Sequence, residues 1–294
     1  MIRLIFFLFT FSCFLKQIYA QTSRSFSDEM SFAKHLTSIA EYRDIILLLG
    51  NVDESLYTFS QSKKDSFNYY MGWSYYNIQS FDTSSFHFDQ VSLESLFYLK
   101  SKFYEGFNTI YTGKTAIAKP LLLSINTNER KELNQLRLMD LAGIALLERN
   151  YTAFDSLSAL FDFNFTPIAA EQKTFLKYSA ELLSIKKKSP LLAGVMSAVI
   201  PGSGKYYAGY KGQAISAFIP VMTFAAVAAE NYQRAGIKSA QFIVFASVFG
   251  LFYVGNIWGS VLSVKIRRNE LYRKIDHEIL LDLHLPLHRI FKQS

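Results

Sequence analysis

The sequence is short of the residues that make cross-links, helix breaks and tight turns. It has one cysteine, Cys13, with 6 prolines and 14 glycines in 294 residues. One thiol cannot close a disulfide within the chain. Because Cys13 sits in an N-terminal apolar run, neither a thiol nucleophile nor a thiolate metal site is expected further on. Half of the residues are apolar and 16% are aromatic, which excludes collagen-like and disordered chains. Charge is missing from two long stretches, the 17 residues 213–229 and the 23 residues 242–264. A soluble helix needs a polar face, and neither stretch has one, although each is long enough to span a bilayer. Neither contains an ionisable residue of the kind that proton relays and ion pathways usually need, so a pump is not expected.

Catalytic signatures are absent too. There is no Ser/His/Asp pattern, paired-acid motif or dinucleotide loop, so no enzyme activity and no cofactor is expected. Gly202-Ser203-Gly204-Lys205 suggests a phosphate loop. However, Val199 stands where its first glycine belongs, and Tyr206 stands where Ser or Thr must follow the lysine. His277, His284 and His288 lie close in sequence without paired carboxylates. They read as solvated or headgroup-facing residues, with Pro286 interrupting the helix between the last two. The net charge of +7 is read as topology and lipid-headgroup contact, not nucleic-acid binding.

The N-terminus has the form of a secretory signal: Arg3, an apolar run over residues 4–15, and Ile18-Tyr19-Ala20 before Gln21. An uncleaved anchor helix is the alternative. Export without cysteine suits a bacterial envelope, so the expected location is the bacterial inner membrane with residues 21–188 facing the periplasm.

Between Asp28 and Lys188 the only prolines are Pro120 and Pro167, and apolar residues recur at helical spacing, as in Leu133, Leu136, Ile144 and Leu147. Met71, Gly72, Tyr75, Ser84 and Phe88 have the spacing of a helix pair in which small residues let the helices approach and aromatics fill the contact. This pattern resembles the tetratricopeptide repeat. Gly106, Gly113, Ala118 and Leu122 lie 34 residues on, and weaker copies begin at Phe32-Ala33 and Leu141-Ala142. The resemblance implies a curved helical array over residues 32–185 whose concave face binds a protein partner. An irregular helical bundle is the other reading. The aromatic cluster Tyr69, Tyr70, Trp73, Tyr75 and Tyr76 is expected mainly to pack.

The stretch 189–264 holds a short apolar segment (191–200), a Gly/Tyr-rich loop and the two charge-free segments. Pro201, Gly202, Gly204, Tyr207 and Gly209 spell PGxGxxYxG. This resembles the loop of small two-transmembrane-helix domains, some of which are joined to helical repeats in bacterial envelope proteins. The likeness implies an architecture rather than a reaction. The loop glycines are expected to make a tight reversal at the membrane surface. Ala246, Gly250, Gly255 and Gly259 form small-xxx-small pairs that suit close helix approach, within the hairpin or in a homodimer. Asn256 could hydrogen-bond across helices.

Basic residues after Val264 favour a cytoplasmic position for residues 265–294 by the positive-inside rule, which requires residues 191–207 to cross as a third membrane segment; if that segment only dips in, the basic tail stays outside, against the rule. Leu271, Ile275, Ile279 and Leu283 give that tail an apolar side, for lying along the membrane or packing on protein. The expected organisation is all-α: a signal (1–20), a tetratricopeptide-like domain (21–188), a helical transmembrane module (189–264) and a basic amphipathic tail (265–294). The expected function is a non-enzymatic scaffold binding a protein partner and membrane lipids. The alternative is an accessory of a transport or lipid-handling system acting through the module.

Overall fold

The computed structural model describes residues 25–51, 59–127 and 130–292, so the expected signal and Cys13 lie outside the described residues. Every regular element among the described residues is a helix. They group into two compact units. The first takes the described residues of Met1–Glu148, Thr152–Ala169 and Leu283–Ser294, and the second takes Arg149–Tyr151 and Ala170–Asp282.

In the first unit helices come in pairs: α1 (Phe26–Ser38) with α2 (Tyr42–Gly50), α3 (Gln61–Asn77) with α4 (Phe81–Asp89), α5 (Tyr98–Tyr111) with α6 (Thr115–Ser124), and α7 (Lys131–Leu147) followed by α8 (Tyr151–Ser158). The connections share one geometry. Ala40, Gln79, Gly113 and Arg149 all have left-handed backbone, φ 60–76°. In the first three turns the next amide closes on a carbonyl five residues back: Glu41 on Leu36, Ser80 on Tyr75 and Lys114 on Thr109, at 2.8–3.0 Å. This pairing satisfies carbonyls that a helix end leaves bare. The left-handed residue recurs at steps of 39, 34 and 36, the same steps that separate Ala33, Gly72, Gly106 and Ala142.

Close approach explains two of the glycines. A Cβ on Gly72 would lie 2.7 Å from the Phe88 ring, and one on Gly106 would lie 2.8 Å from Leu122. Ser84 donates its hydroxyl to the Gly72 carbonyl at 2.7 Å and receives the Asn108 amide at 2.9 Å, tying α3, α4 and α5 together. Met71 is buried and Tyr75 stacks on His87 at 5.5 Å.

The last segment of the first unit is the C-terminal end of α13 (Ala240–Lys292). Leu283 fills the space beside Gly143, where a Cβ would meet it at 2.9 Å, and both Leu283 and Leu287 are buried. His284, His288 and Phe291 lie among the rings of α3 and α5. Two expectations are corrected here. The helix runs through Pro286, which forfeits one bond to the carbonyl of Asp282 but is held by the packing of Leu283 and Leu287. His284 and His288 are packing residues rather than solvated ones, because their neighbours are Trp73, Tyr76, Tyr104 and Phe107.

The second unit contains most of α9 (Ala169–Ser184), then α10 (Pro190–Val199), α11 (Ser203–Ala208), α12 (Lys211–Ala235) and α13 up to Asp282. Helices α12 and α13 are long and apolar enough to cross a membrane. Their apolar side chains face outward: Ile215 is 63% and Leu251 75% exposed. The two helices meet through Phe224 and Phe252, stacked at 5.2 Å, and through Tyr232 and Phe242 at 5.5 Å. Residues 265–292 continue the same helix and are not a separate tail. Ile275 and Ile279 are buried, so this face packs on protein rather than lying on a bilayer.

Three membrane crossings are incompatible with this fold. Residues before 170 and after 282 build one core, so a membrane crossed between them must be crossed an even number of times. At 10 residues α10 is about 15 Å long, roughly half a hydrocarbon core.

Gly72→Ala is expected to destabilise the first unit by about 1–3 kcal/mol, because the buried Phe88 ring must shift to admit a methyl group. Denaturant unfolding of the full chain in detergent measures this. Unchanged stability would show that the α3–α4 approach is not tight.

Candidate functional site

The second unit carries the densest polar arrangement in an apolar setting, and the PGxGxxYxG residues build it. Helix α10 starts at Ser189, whose hydroxyl accepts from Leu192 N–H at 3.3 Å, with Pro190 in the first turn. It stops at Ile200 because Pro201 cannot continue it and Gly202 turns left-handed at φ +83°. The next six residues form α11 and fold back against α10. A Cβ on Gly204 would lie 2.0 Å from the carbonyl of Ala193, and one on Gly202 would lie 2.3 Å from that of Ala214. No other residue fits either place.

This turn leaves helix-end groups bare, and Asn256 of α13 meets two of them. Its Oδ1 accepts from Gly202 N–H at 3.0 Å, and its Nδ2 donates to the Ser197 carbonyl at 3.3 Å. The Ser197 and Ser260 hydroxyls pair at 2.7 Å, Gly204 N–H donates to Ser197 Oγ at 2.9 Å, and Ser260 donates to the Asn256 carbonyl at 2.8 Å. Tyr253 donates to the Ala198 carbonyl at 2.7 Å. Asn256, Ser197 and Ser260 are buried. The reversal is therefore buried within the module, against the side chains of α13. Asn256 lies 8 residues before Val264, about 12 Å along the helix.

The outer end of the same substructure is where Tyr207 and Gly209 sit. Tyr207 accepts from Ser189 N–H at 3.3 Å through its hydroxyl, and its carbonyl accepts from Lys188 Nζ. Gly209 is left-handed, φ +105°. The starts of α10 and α12 thus meet the end of the charge-free stretch of α13. A cavity of about 490 Å³ there is lined by Lys186, Lys188, Arg267 and Arg268 together with Ala208, Val264 and Ile275. A second cavity, of about 510 Å³, opens between α12 and α13 and is bordered by Lys205, Gln213, Pro220, Phe252 and Asn256.

The small residues of α13 do not join the hairpin as expected. A side chain at Gly250 or Gly255 would meet open space, and one at Gly259 would meet the Lys205 side chain at 3.4 Å. Ala246 is partly buried. The close helix approach is made instead at Gly194, where a Cβ would lie 2.9 Å from Val261.

In the first unit the aromatic cluster is packed as expected: Tyr69, Trp73 and Tyr76 are buried. Sequence reasoning missed that the chain's own C-terminal segment occupies it. The Tyr76 hydroxyl pairs with His284 Nδ1 at 2.6 Å. Burial, aided by each other or by nearby lysines, holds the His284 and His288 pKa values below the ordinary range. Asp65 is anchored by Ser92 N–H, Ser92 Oγ and Gln61. Burial would raise its pKa, but these bonds outweigh that and hold it below the usual carboxylate range. Beside this cluster a cavity of about 680 Å³ is bordered by Leu93, Leu96, Phe97, Lys100 and Arg130. Leu96 is wholly exposed and Leu93 is 67% exposed, and neither was singled out from the sequence.

Comparison with family models, curated proteins and solved structures finds no match to this chain.

Asn256→Leu is expected to destabilise the module by about 2–4 kcal/mol, since two buried backbone groups lose their partner at about 1–3 kcal/mol each. Thermal unfolding in detergent reads this, and an unchanged melting temperature would remove Asn256 from the structural core. The histidine pair supplies a pH dependence. Because their folded pKa values lie below the unfolded 6.5, the unfolded state binds more protons. Their contribution is whole above pH 6.5 and falls as pH drops through the folded values. Buried Asp140, whose pKa burial raises, acts in the opposite sense. The measurement is therefore the difference between wild type and His284→Leu/His288→Leu across pH 7 to 5. Parallel curves would refute a titrating pair.

Proposed function

We propose that this protein is a non-enzymatic, membrane-anchored scaffold of the bacterial envelope. Its helical pairs form a tetratricopeptide-like array, α12 and α13 cross the inner membrane, and α10–α11 dips in and returns. The recurrent left-handed turn at steps of 39, 34 and 36 residues supports the repeat reading. The outward apolar faces of α12 and α13 support the membrane reading. The N-terminal apolar run after Arg3 supports a periplasmic array, and the shared core then puts the C-terminal segment on that side as well.

One observation carries the scaffold reading. Leu93 and Leu96 are exposed around a cavity flanked by Lys100 and Arg130, beside the stacked Tyr69–Phe97 pair at 4.1 Å. Exposed apolar residues of this kind, edged by cations, suit a partner segment that combines apolar and acidic side chains. The aromatic face of α3 and α5, by contrast, is filled by the chain's own residues 283–291. The second reading, an accessory of a lipid-handling or transport system, draws on the cavity beside Lys205 in the module. No nucleic-acid partner is proposed. A homodimer through the open Gly250 and Gly255 edge is compatible with either reading.

The test uses the full chain in its own membrane, with a photo-crosslinking residue beside the cavity. Leu93→Asp/Leu96→Asp should cut crosslinking to the partner at least tenfold while the protein stays in the carbonate-washed membrane pellet. Single cysteines at Ser62 and Ser294, in a Cys13→Ser background, should both be labelled from the periplasmic side. Unchanged crosslinking would refute the scaffold site, and labelling from opposite sides would refute the even number of crossings.

A further inference from the structure

We propose that the basic cavity of the second unit is a binding site for the phosphate headgroup of an anionic membrane lipid. This rests on the reading that the unit is membrane-embedded. Four cationic side chains, Lys186, Lys188, Arg267 and Arg268, border a space of about 490 Å³ whose one carboxylate is Glu181. Two of the cations are held in place. Lys188 lies over the Tyr207 ring at 5.2 Å and donates to the Tyr207 carbonyl. Arg267 lies over the Tyr210 ring at 5.8 Å and reaches Glu270 at 3.4 Å, while Glu270 is itself held by the Tyr210 hydroxyl at 2.7 Å. Among the described residues, no carboxylate lies within ion-pair distance of Lys186, Lys188 or Arg268.

The cavity straddles a boundary. Ala208, Val264 and Ile275 are buried, and Val264 is the last residue of the charge-free stretch of α13. A ligand lodged there meets guanidinium and ammonium groups alongside the apolar side chains of Ala208, Val264, Leu271 and Ile275. That combination fits a phosphodiester carrying acyl chains. Arginine's planar fork matches phosphate oxygens two at a time, and lysine adds a mobile point charge. Basic pockets where membrane helices meet the headgroup layer bind anionic lipids on these grounds. Free inorganic phosphate would use the same cations but leave the apolar wall empty.

The experiment is native mass spectrometry of the full chain released from nanodiscs of equimolar phosphatidylglycerol and phosphatidylcholine. Wild type should retain phosphatidylglycerol preferentially, and Arg267→Gln/Arg268→Gln should reduce that preference about tenfold. Arg234→Gln/Lys238→Gln, removing cations from the connection between α12 and α13, should leave it intact. Melting temperatures would show that the variants are folded. Inorganic phosphate at millimolar concentration should not displace the lipid. No preference in wild type, or an equal preference in the Arg267/Arg268 variant, would overturn the site. Displacement by inorganic phosphate would overturn the lipid as its occupant. A chain absent from washed membranes would refute the membrane reading, whereas an embedded chain without lipid preference would refute this site alone.

Discussion

Core closure governs this protein. Helices α1 to α8 leave a ring-lined surface on α3 and α5, and residues 283–292 cover it. Burying a large aromatic or leucine side chain is worth about 1.5–3 kcal/mol, so a face with Trp73, Tyr76, Tyr104 and Phe107 cannot be left wet at little cost. The segment that covers it is separated from the array by the entire second unit. The chain must therefore leave the array, build the second unit and return to the first unit's core. The return of residues 283–292 to this core is fixed by the packing of Leu283, Leu287 and two histidines.

A second constraint acts inside the module. A helix that stops and reverses among apolar helices exposes carbonyls at one end and amides at the other, and apolar side chains offer them no partner. Asn256, Ser197, Ser260 and Tyr253 supply those partners. Gly202 and Gly204 let the backbones come close enough for the bonds to form. The two devices need each other: without the glycines Asn256 cannot reach Gly202, and without Asn256 the glycine turn is an unsatisfied backbone.

How much of this could be read from residues alone follows from how local each signal is. The Gly72–Phe88 contact was legible because a small residue and an aromatic at fixed spacing require a helix pair. The charge-free stretches were legible as long apolar helices because a run without charge leaves a helix no polar face. The occupant of the aromatic cluster was not, because the apolar side formed by Ile275, Ile279 and Leu283 states that the helix packs without stating on what. Pro286 was misread as a break because propensity is local while the force holding the turn is tertiary. The Gly202 reversal was legible as a turn from its glycines, but its hydrogen-bond network was not. Its partners Ser197 and Ser260 lie 63 residues apart and carry no shared pattern.

The basic residues present the last problem. With an even number of crossings, Lys186, Lys187, Lys188, Lys265, Arg267 and Arg268 share a side with the array, and only Arg234 and Lys238 flank the α12–α13 connection. Read as topology alone, that distribution would put the array in the cytoplasm, whereas the N-terminal apolar run after Arg3 is read as an export signal. A topogenic cation, however, acts through its charge and needs no fixed position. Arg267 is held by a tyrosine ring and a carboxylate, and Lys188 by a ring and a carbonyl, around one shared cavity. Those contacts order two of the cavity's four cations, which a charge acting only as a topogenic signal does not require.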